Sequence, residues 1–258
     1  MKYILLSILI LNTSFLFAQG DNKNETYVLT YFVNLDEQSR VAYLMLDKNE
    51  GLYYSKKEQE NSNNLYSEEY TDDGFNYNVK IVSEDTIFNV VKTNLITNEM
   101  LSSVRVFKDG EYRKYLVSEK PNTIEWEFSN ETKVINGLNC QKAETRFKGR
   151  RYEVWYTEEI PTSLGPWKLH GLPGAVVLAS DSENYIQLSL AKIDKIKDNE
   201  ILNYNFDNGI ERITYEDYLL LKKQQGEEVA NKIQSKLPRG VQFNITNITN
   251  NWLEKDCN

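Results

Sequence analysis

Short runs of β-branched and aromatic residues recur along most of the chain, separated by polar or glycine-containing breaks. Residues 26–33, 40–46, 75–82, 86–91 and 101–107 carry this pattern, which places alternate side chains on opposite faces of a strand. Three dipeptides fall between such runs: Asp109-Gly110, Asn136-Gly137 and Lys148-Gly149. Each suits a two-residue hairpin turn, so the spacing predicts an antiparallel meander. In Tyr152-Glu-Val-Trp-Tyr-Thr157 both faces carry aromatics, as in a strand covered on both sides or one lining a cavity. Such aromatic stripes are read first as packing.

Near the C-terminus the period changes. Thr214 is suited to cap a helix over residues 215–236, with Glu216 and Asp217 in the first turn where the helix dipole favours negative charge. Val229, Ile233 and Leu237 recur at every fourth position, and Leu219-Leu220-Leu221 adds an apolar patch. Gly226 is a break or kink point, Pro238-Arg-Gly240 ends the helix, and residues 241–248 read as a last strand. Residues 56–69 read as a long polar loop. The expected fold is mainly β: a curved antiparallel sheet or open barrel-like meander, with one C-terminal helix packed against it.

Residues 1–18 read differently from the rest. Lys2 precedes an apolar run that ends at Leu16-Phe17-Ala18, the order of a secretory leader, and the run is short for a membrane span. The expectation is an exported protein, periplasmic or in the cell envelope, whose residues 19–258 form one β-rich domain and are not an integral membrane protein. The formal charge of −8 becomes one unit more negative without the leader. Such a surface argues against nucleic acid as a partner. The one dense basic cluster, Arg146, Lys148, Arg150 and Arg151, reads as the solvated tip of a hairpin. In an oxidising compartment the two cysteines, Cys140 and Cys257, can form a disulfide or remain one buried and one exposed thiol. Sequence leaves both readings open.

The chemistry is narrowed by elimination. With a single histidine there is no multi-histidine metal site, so no metal and no cofactor is expected. No Gly-x-Ser-x-Gly or Ser-x-x-Lys motif occurs. A triad-type site would have to recruit His170, with Ser163, Ser180 or Asp181 nearby in sequence. Gly171-Leu-Pro-Gly174 lacks the lysine and hydroxyl of a phosphate loop and leads into strand-like residues. It reads as a sharp structural bend, with Gly165-Pro166 a second bend upstream; Pro173 fixes φ, and Gly171 and Gly174 allow positive φ.

These motifs carry a resemblance. Gly137-Leu-Asn-Cys140-Gln-Lys-Ala143, Phe147-Lys-Gly149-Arg150, Val154-Trp-Tyr-Thr157-Glu-Glu-Ile-Pro161, Gly165-Pro166-Trp-Lys168 and Gly171-Leu-Pro-Gly174 resemble, in order and spacing, the GLPGLI family of exported bacterial proteins. The dense match covers residues 134–190 and departs at Ala175-Val176, where the family has Leu-Ile. The resemblance implies export and a β-rich fold, and supplies no reaction.

Two functional expectations follow. The first is a non-enzymatic envelope module that binds an apolar ligand, a peptide or an outer-membrane protein, with Trp155, Tyr156, Trp167, His170 and Leu172 as its contact surface. The second is a hydrolase or processing enzyme that uses His170 with Glu158 or Asp181.

Overall fold

The computed structural model describes residues 26–35, 38–57, 66–71, 74–79, 87–121, 123–196, 209–235 and 254. Fourteen strands and one helix follow in chain order: β1 (Thr26–Leu35), β2 (Gln38–Leu46), β3 (Glu50–Lys57), β4 (Tyr66–Thr71), β5 (Gly74–Val79), β6 (Ile87–Asn94), β7 (Glu99–Lys108), β8 (Glu111–Glu119), β9 (Glu127–Ile135), β10 (Leu138–Phe147), β11 (Arg150–Thr157), β12 (Ala175–Asp181), β13 (Ile186–Ile196), β14 (Glu211–Thr214) and α1 (Tyr215–Gln234). Residues 1–18 and 241–248 lie outside the described residues. Of the expected long loop, residues 56–57 end β3 and residues 66–69 open β4; the part between lies outside the described residues.

The alternating runs fold as their pattern dictates. Twelve strands make one open sheet in the order β14-β8-β7-β6-β3-β2-β1-β13-β12-β11-β10-β9, and β4 pairs with β5 separately. All three expected hairpin turns form, and each has positive φ at both central residues: Asp109 and Gly110, Asn136 and Gly137, Lys148 and Gly149. That is the type I′ geometry whose twist matches the flanking strands. Two meanders result, β1 to β8 and β9 to β13. They join along a seam in which β1 runs antiparallel to β13, from Thr26 opposite Ile196 to Leu35 opposite Ile186.

The connection between the meanders bends the sheet. Strands β8 and β9 are ten strand spacings apart in the sheet order, about 48 Å if the sheet were flat. The chain runs from Glu119 to Glu127 between them, and that length reaches at most about 28 Å. The sheet is therefore curved, and the connection crosses its concave face, delivering Ile124 and Trp126 to the core. Asn136, in the β9–β10 turn, donates from Nδ2 to the Leu190 carbonyl of β13 at 3.0 Å, although two strands lie between their own strands in the sheet.

On the concave side, Leu29, Tyr31, Val33, Ala42, Leu44, Tyr53, Tyr152, Val154, Ala179 and Leu188 form one core. The Tyr31 hydroxyl, fully buried, donates to the Val176 carbonyl at 2.9 Å. Burial raises its pKa far above the ordinary tyrosine value, so it stays a neutral donor.

Helix α1 follows β14, which adds to β8 in parallel. Thr214 caps it: its Oγ1 accepts from the Asp217 N–H at 3.1 Å, and its own N–H reaches the Asp217 carboxylate at 3.4 Å. The helix runs through Gly226 without a break. Its packed side chains are Tyr215, Tyr218 and Leu221, against Val106, Tyr115 and Val117. Leu220 is exposed, so only part of the leucine patch seen in the sequence faces the sheet. Further along, Glu228 accepts the N–H groups of Asp109 and Gly110 at 3.2 and 2.9 Å, tying α1 to the β7–β8 turn. Among the described residues, no helix is long and apolar enough to cross a membrane.

Thr214→Ala removes the cap and is expected to cost about 1 kcal/mol, read as a lower denaturant midpoint with an unchanged slope.

Candidate functional site

The glycine- and proline-rich stretch from Glu158 to Gly174 lies between β11 and β12 and inserts Leu164, Trp167, Leu169 and Leu172 into the core. Its two bends have different causes. Gly171 has φ +88° and its N–H donates to the Ser163 carbonyl at 2.7 Å, as a left-handed turn position expects. Gly165 and Gly174 instead allow close backbone approach: an added Cβ would fall 1.8 Å from the Leu169 oxygen and 2.0 Å from the Thr157 oxygen, respectively. Gly174 is thus fixed by space and not by positive φ. Trp167 adopts φ +55°, unusual for a bulky residue. It is held by burial and by an edge-to-face contact with Phe147 at 5.9 Å.

Beside this stretch two lysines and two glutamates meet out of reach of water. Lys148 Nζ lies 2.8 Å from Glu119, Lys168 contacts Glu119 closely and lies 2.8 Å from Glu254, and all four side chains are at most 7% exposed. Tyr215 completes the group: its hydroxyl donates to Glu254 at 3.0 Å, and the Lys148 ammonium sits 3.5 Å from its ring centroid. Burial alone would raise the Glu254 carboxyl. Lys168 and Lys148, with hydrogen bonds from Lys168 and Tyr215, outweigh it and hold the pKa below the usual glutamate range. The cavity beside Lys168 and Glu254 has a volume of about 30 Å³, room for about one water molecule and too small for a substrate. The quartet is a clamp between β8, the β10–β11 turn, the Glu158–Gly174 stretch and Glu254, and Tyr215 brings the start of α1 to it.

The basic cluster read as a solvated tip is therefore divided. Arg151 and Arg146 are exposed, but Lys148 folds back into the clamp, and Arg150 is buried. Arg150 meets Asp181 at 2.5 Å, and Asp181 also accepts the Ile186 N–H at 2.9 Å. A buried charge keeps its place only with such a partner, and the partners, Asp181 on the neighbouring strand β12 and Glu119 on β8, lie 31 and 29 residues away in sequence.

The residues expected as a contact surface lie mostly in the core. Trp155, Tyr156, Trp167 and Leu172 are all buried, because removing their large apolar area from water is worth more in the core than at a surface. His170 alone is partly exposed; its Nδ1 is 2.7 Å from the Lys168 carbonyl and its ring packs edge-on to Phe147. Of the acids considered with it, Asp181 is committed to Arg150, and Glu158 is exposed beside a different hollow. Cys140 is a buried free thiol whose pKa is raised, chiefly by burial; Cys257 lies outside the described residues. Among the described residues no cluster of acidic, cysteine or histidine side chains could hold a metal.

A roomier concavity lies at the sheet edge. A hollow of about 460 Å³ is lined by Thr132, Lys133 and Val134 of β9, Asn139, Cys140 and Gln141 of β10, Tyr156 of β11, and Glu158. Thr132, Gln141 and Tyr156 form a cross-strand row, and the Tyr156 hydroxyl donates to Gln141 Oε1 at 2.9 Å. The Gln141 amide in turn donates to the Ser129 carbonyl at 2.8 Å, and Asn139 donates from both N and Nδ2 to Glu159. Sequence reasoning named Tyr156 and Glu158 but missed Thr132, Asn139 and Gln141, polar residues that become neighbours only through strand register.

Comparison with known proteins assigns this architecture. Residues 26–217 match the family described as N-glycanase peptide, N-terminal domain. The chain belongs to that family. This overturns the GLPGLI resemblance, whose motifs record turn and close-approach geometry in the β9–β12 region. Two crystal forms of PNGF-II, in space groups P21 and C2, each superpose with a TM-score of 0.51 at 20% identity and cover 76% of this chain. The chain spans only about a third of the length of those chains, 33% and 32%, and the likeness at this identity is one of fold. A search of curated proteins found no match.

Gly174→Ala is expected to cost more than about 2 kcal/mol through the clash with Thr157, read by thermal denaturation. Glu254→Gln leaves the two lysines with one carboxylate, and the expected cost is about 3 kcal/mol near pH 7. Because the folded pKa of Glu254 is lowered, its contribution is complete above the unfolded value of about 4.3 and is lost as pH falls through the folded value. The wild-type advantage over Glu254→Gln in denaturant melts should therefore shrink below about pH 4.

Proposed function

We propose that this chain serves the removal of asparagine-linked glycans, as the N-terminal-domain part of an N-glycanase type of hydrolytic process. The observation that carries the reading is the family match across residues 26–217. The shared open-sheet fold with part of PNGF-II supports it. It stands nearer to the processing-enzyme expectation than to a dedicated binder of apolar ligands. The edge hollow agrees, since its amide, hydroxyl and carboxylate groups suit a hydroxyl-rich ligand and would lose their hydration without replacement against a purely apolar one. His170 remains the side chain to test for hydrolysis by this chain itself.

The test is incubation of the protein with asparagine-glycosylated peptide, scored two ways: conversion of the glycosylated asparagine to aspartate by mass spectrometry, and retention on immobilised glycopeptide against the same peptide without glycan. Conversion that is lost in His170→Ala, or retention that depends on the glycan, is the expected result. Equal retention of both peptides without conversion would overturn the reading.

A further inference from the structure

We infer that the hollow at the β9–β10 edge is a saccharide-binding subsite, with Thr132, Asn139, Gln141 and Glu158 as its polar contact residues, buried Tyr156 as its floor and Phe128, which packs on Tyr156, at its rim; the inference rests on the N-glycan reading above and gives that substrate class a location. Three observations carry it. The hollow's volume of about 460 Å³ lies within the ~300–1,000 Å³ of small-molecule sites. The polar groups are both donors and acceptors, as ring hydroxyls require, each of which gives and takes a hydrogen bond. They are also preorganised: Gln141 is held between Tyr156 and Ser129, and Asn139 is held by Glu159, so little side-chain freedom is lost on binding.

The third observation is apolar. β9 is exposed along most of its length, and within it Phe128 is 56% exposed and Val134 68% exposed. Phe128 stands edge-to-face on buried Tyr156, with ring centroids 6.1 Å apart, so its orientation is fixed while much of its surface faces out. An exposed ring beside a row of amide and hydroxyl groups matches a sugar, which offers a C–H face and a rim of hydroxyls. The same lining disfavours other classes. Lys133 is the only cation lining the hollow, and its ammonium lies 3.8 Å from the Trp155 ring centroid, so a phosphate would face Glu158 without a dedicated cationic partner.

The test uses the full chain and two probes, N,N′-diacetylchitobiose and an asparagine-linked chitobiose peptide, with binding followed by calorimetry. Phe128→Ala removes the exposed ring, and Thr132→Arg fills the hollow; Tyr112→Ala, at the β7–β8 hairpin, serves as a control. The expected result is binding by wild type and by Tyr112→Ala, at least tenfold weaker binding by Phe128→Ala, and loss in Thr132→Arg, with melting temperatures close to wild type. Because the two variants act differently, one ring deletion and one steric block, misfolding of one leaves the other decisive. Undiminished binding by either folded variant would overturn the subsite while leaving the N-glycan reading standing. Failure of the wild type to bind either probe would overturn the subsite, and the activity and retention assays above then decide the wider reading independently.

Discussion

A connection too short to cross a flat sheet governs this molecule. Strands β8 and β9 lie at the outer ends of two meanders on opposite sides of the seam, and the eight steps from Glu119 to Glu127 hold them together. The sheet bends in response, and bending creates a concave face that one layer of strands cannot cover. The stretch Glu158–Gly174 and the connection itself supply the missing layer, with Leu164, Trp167, Leu169, Leu172 and Ile124 as the inserted side chains. Gly174 is needed because the added layer meets the backbone of β11 at Thr157, and Gly165 because the stretch folds back on its own backbone at Leu169.

The ion quartet belongs to the same geometry. Glu119 ends β8 where the short connection begins, Lys148 is at the tip of a hairpin from the other meander, and Lys168 is on the covering stretch. Charges so removed from water are costly unless each meets its opposite. The pairing therefore penalises arrangements that separate these segments, so its value lies in specifying the bent state as much as in stabilising it. Glu254 joins from beyond α1, which extends the same requirement to a residue past the helix.

The local rules were legible in the sequence. Three dipeptides gave three type I′ turns, Thr214 gave a cap, and alternation gave the strands that the structure describes around them. Tertiary pairing was not legible. Lys148 and Arg150 have the composition of a solvated tip, and only Glu119 and Asp181, distant in sequence, draw them inward. Trp155 stands in a stripe whose first reading is packing and, with Trp167, is also among the expected contact residues, and both side chains are buried. The edge hollow was overlooked for another reason: the registers set by the Asn136-Gly137 and Lys148-Gly149 turns place Thr132, Gln141 and Tyr156 in one row, but nothing in the composition of three separate strands marks that row as a site.

The seam between β1 and β13 also has a kinetic meaning. Most ladders in the sheet join strands that follow one another closely, as hairpins that can zip from their turns within microseconds. The seam instead requires residue 26 to find residue 196, after the intervening chain has been drawn together against its conformational entropy. Because the core takes residues from both sides of that line, neither meander can bury its apolar face completely before the other arrives. The seam is thus the pairing with the greatest loop-closure cost in the sheet, and topology of this kind slows folding relative to a sheet of hairpins alone.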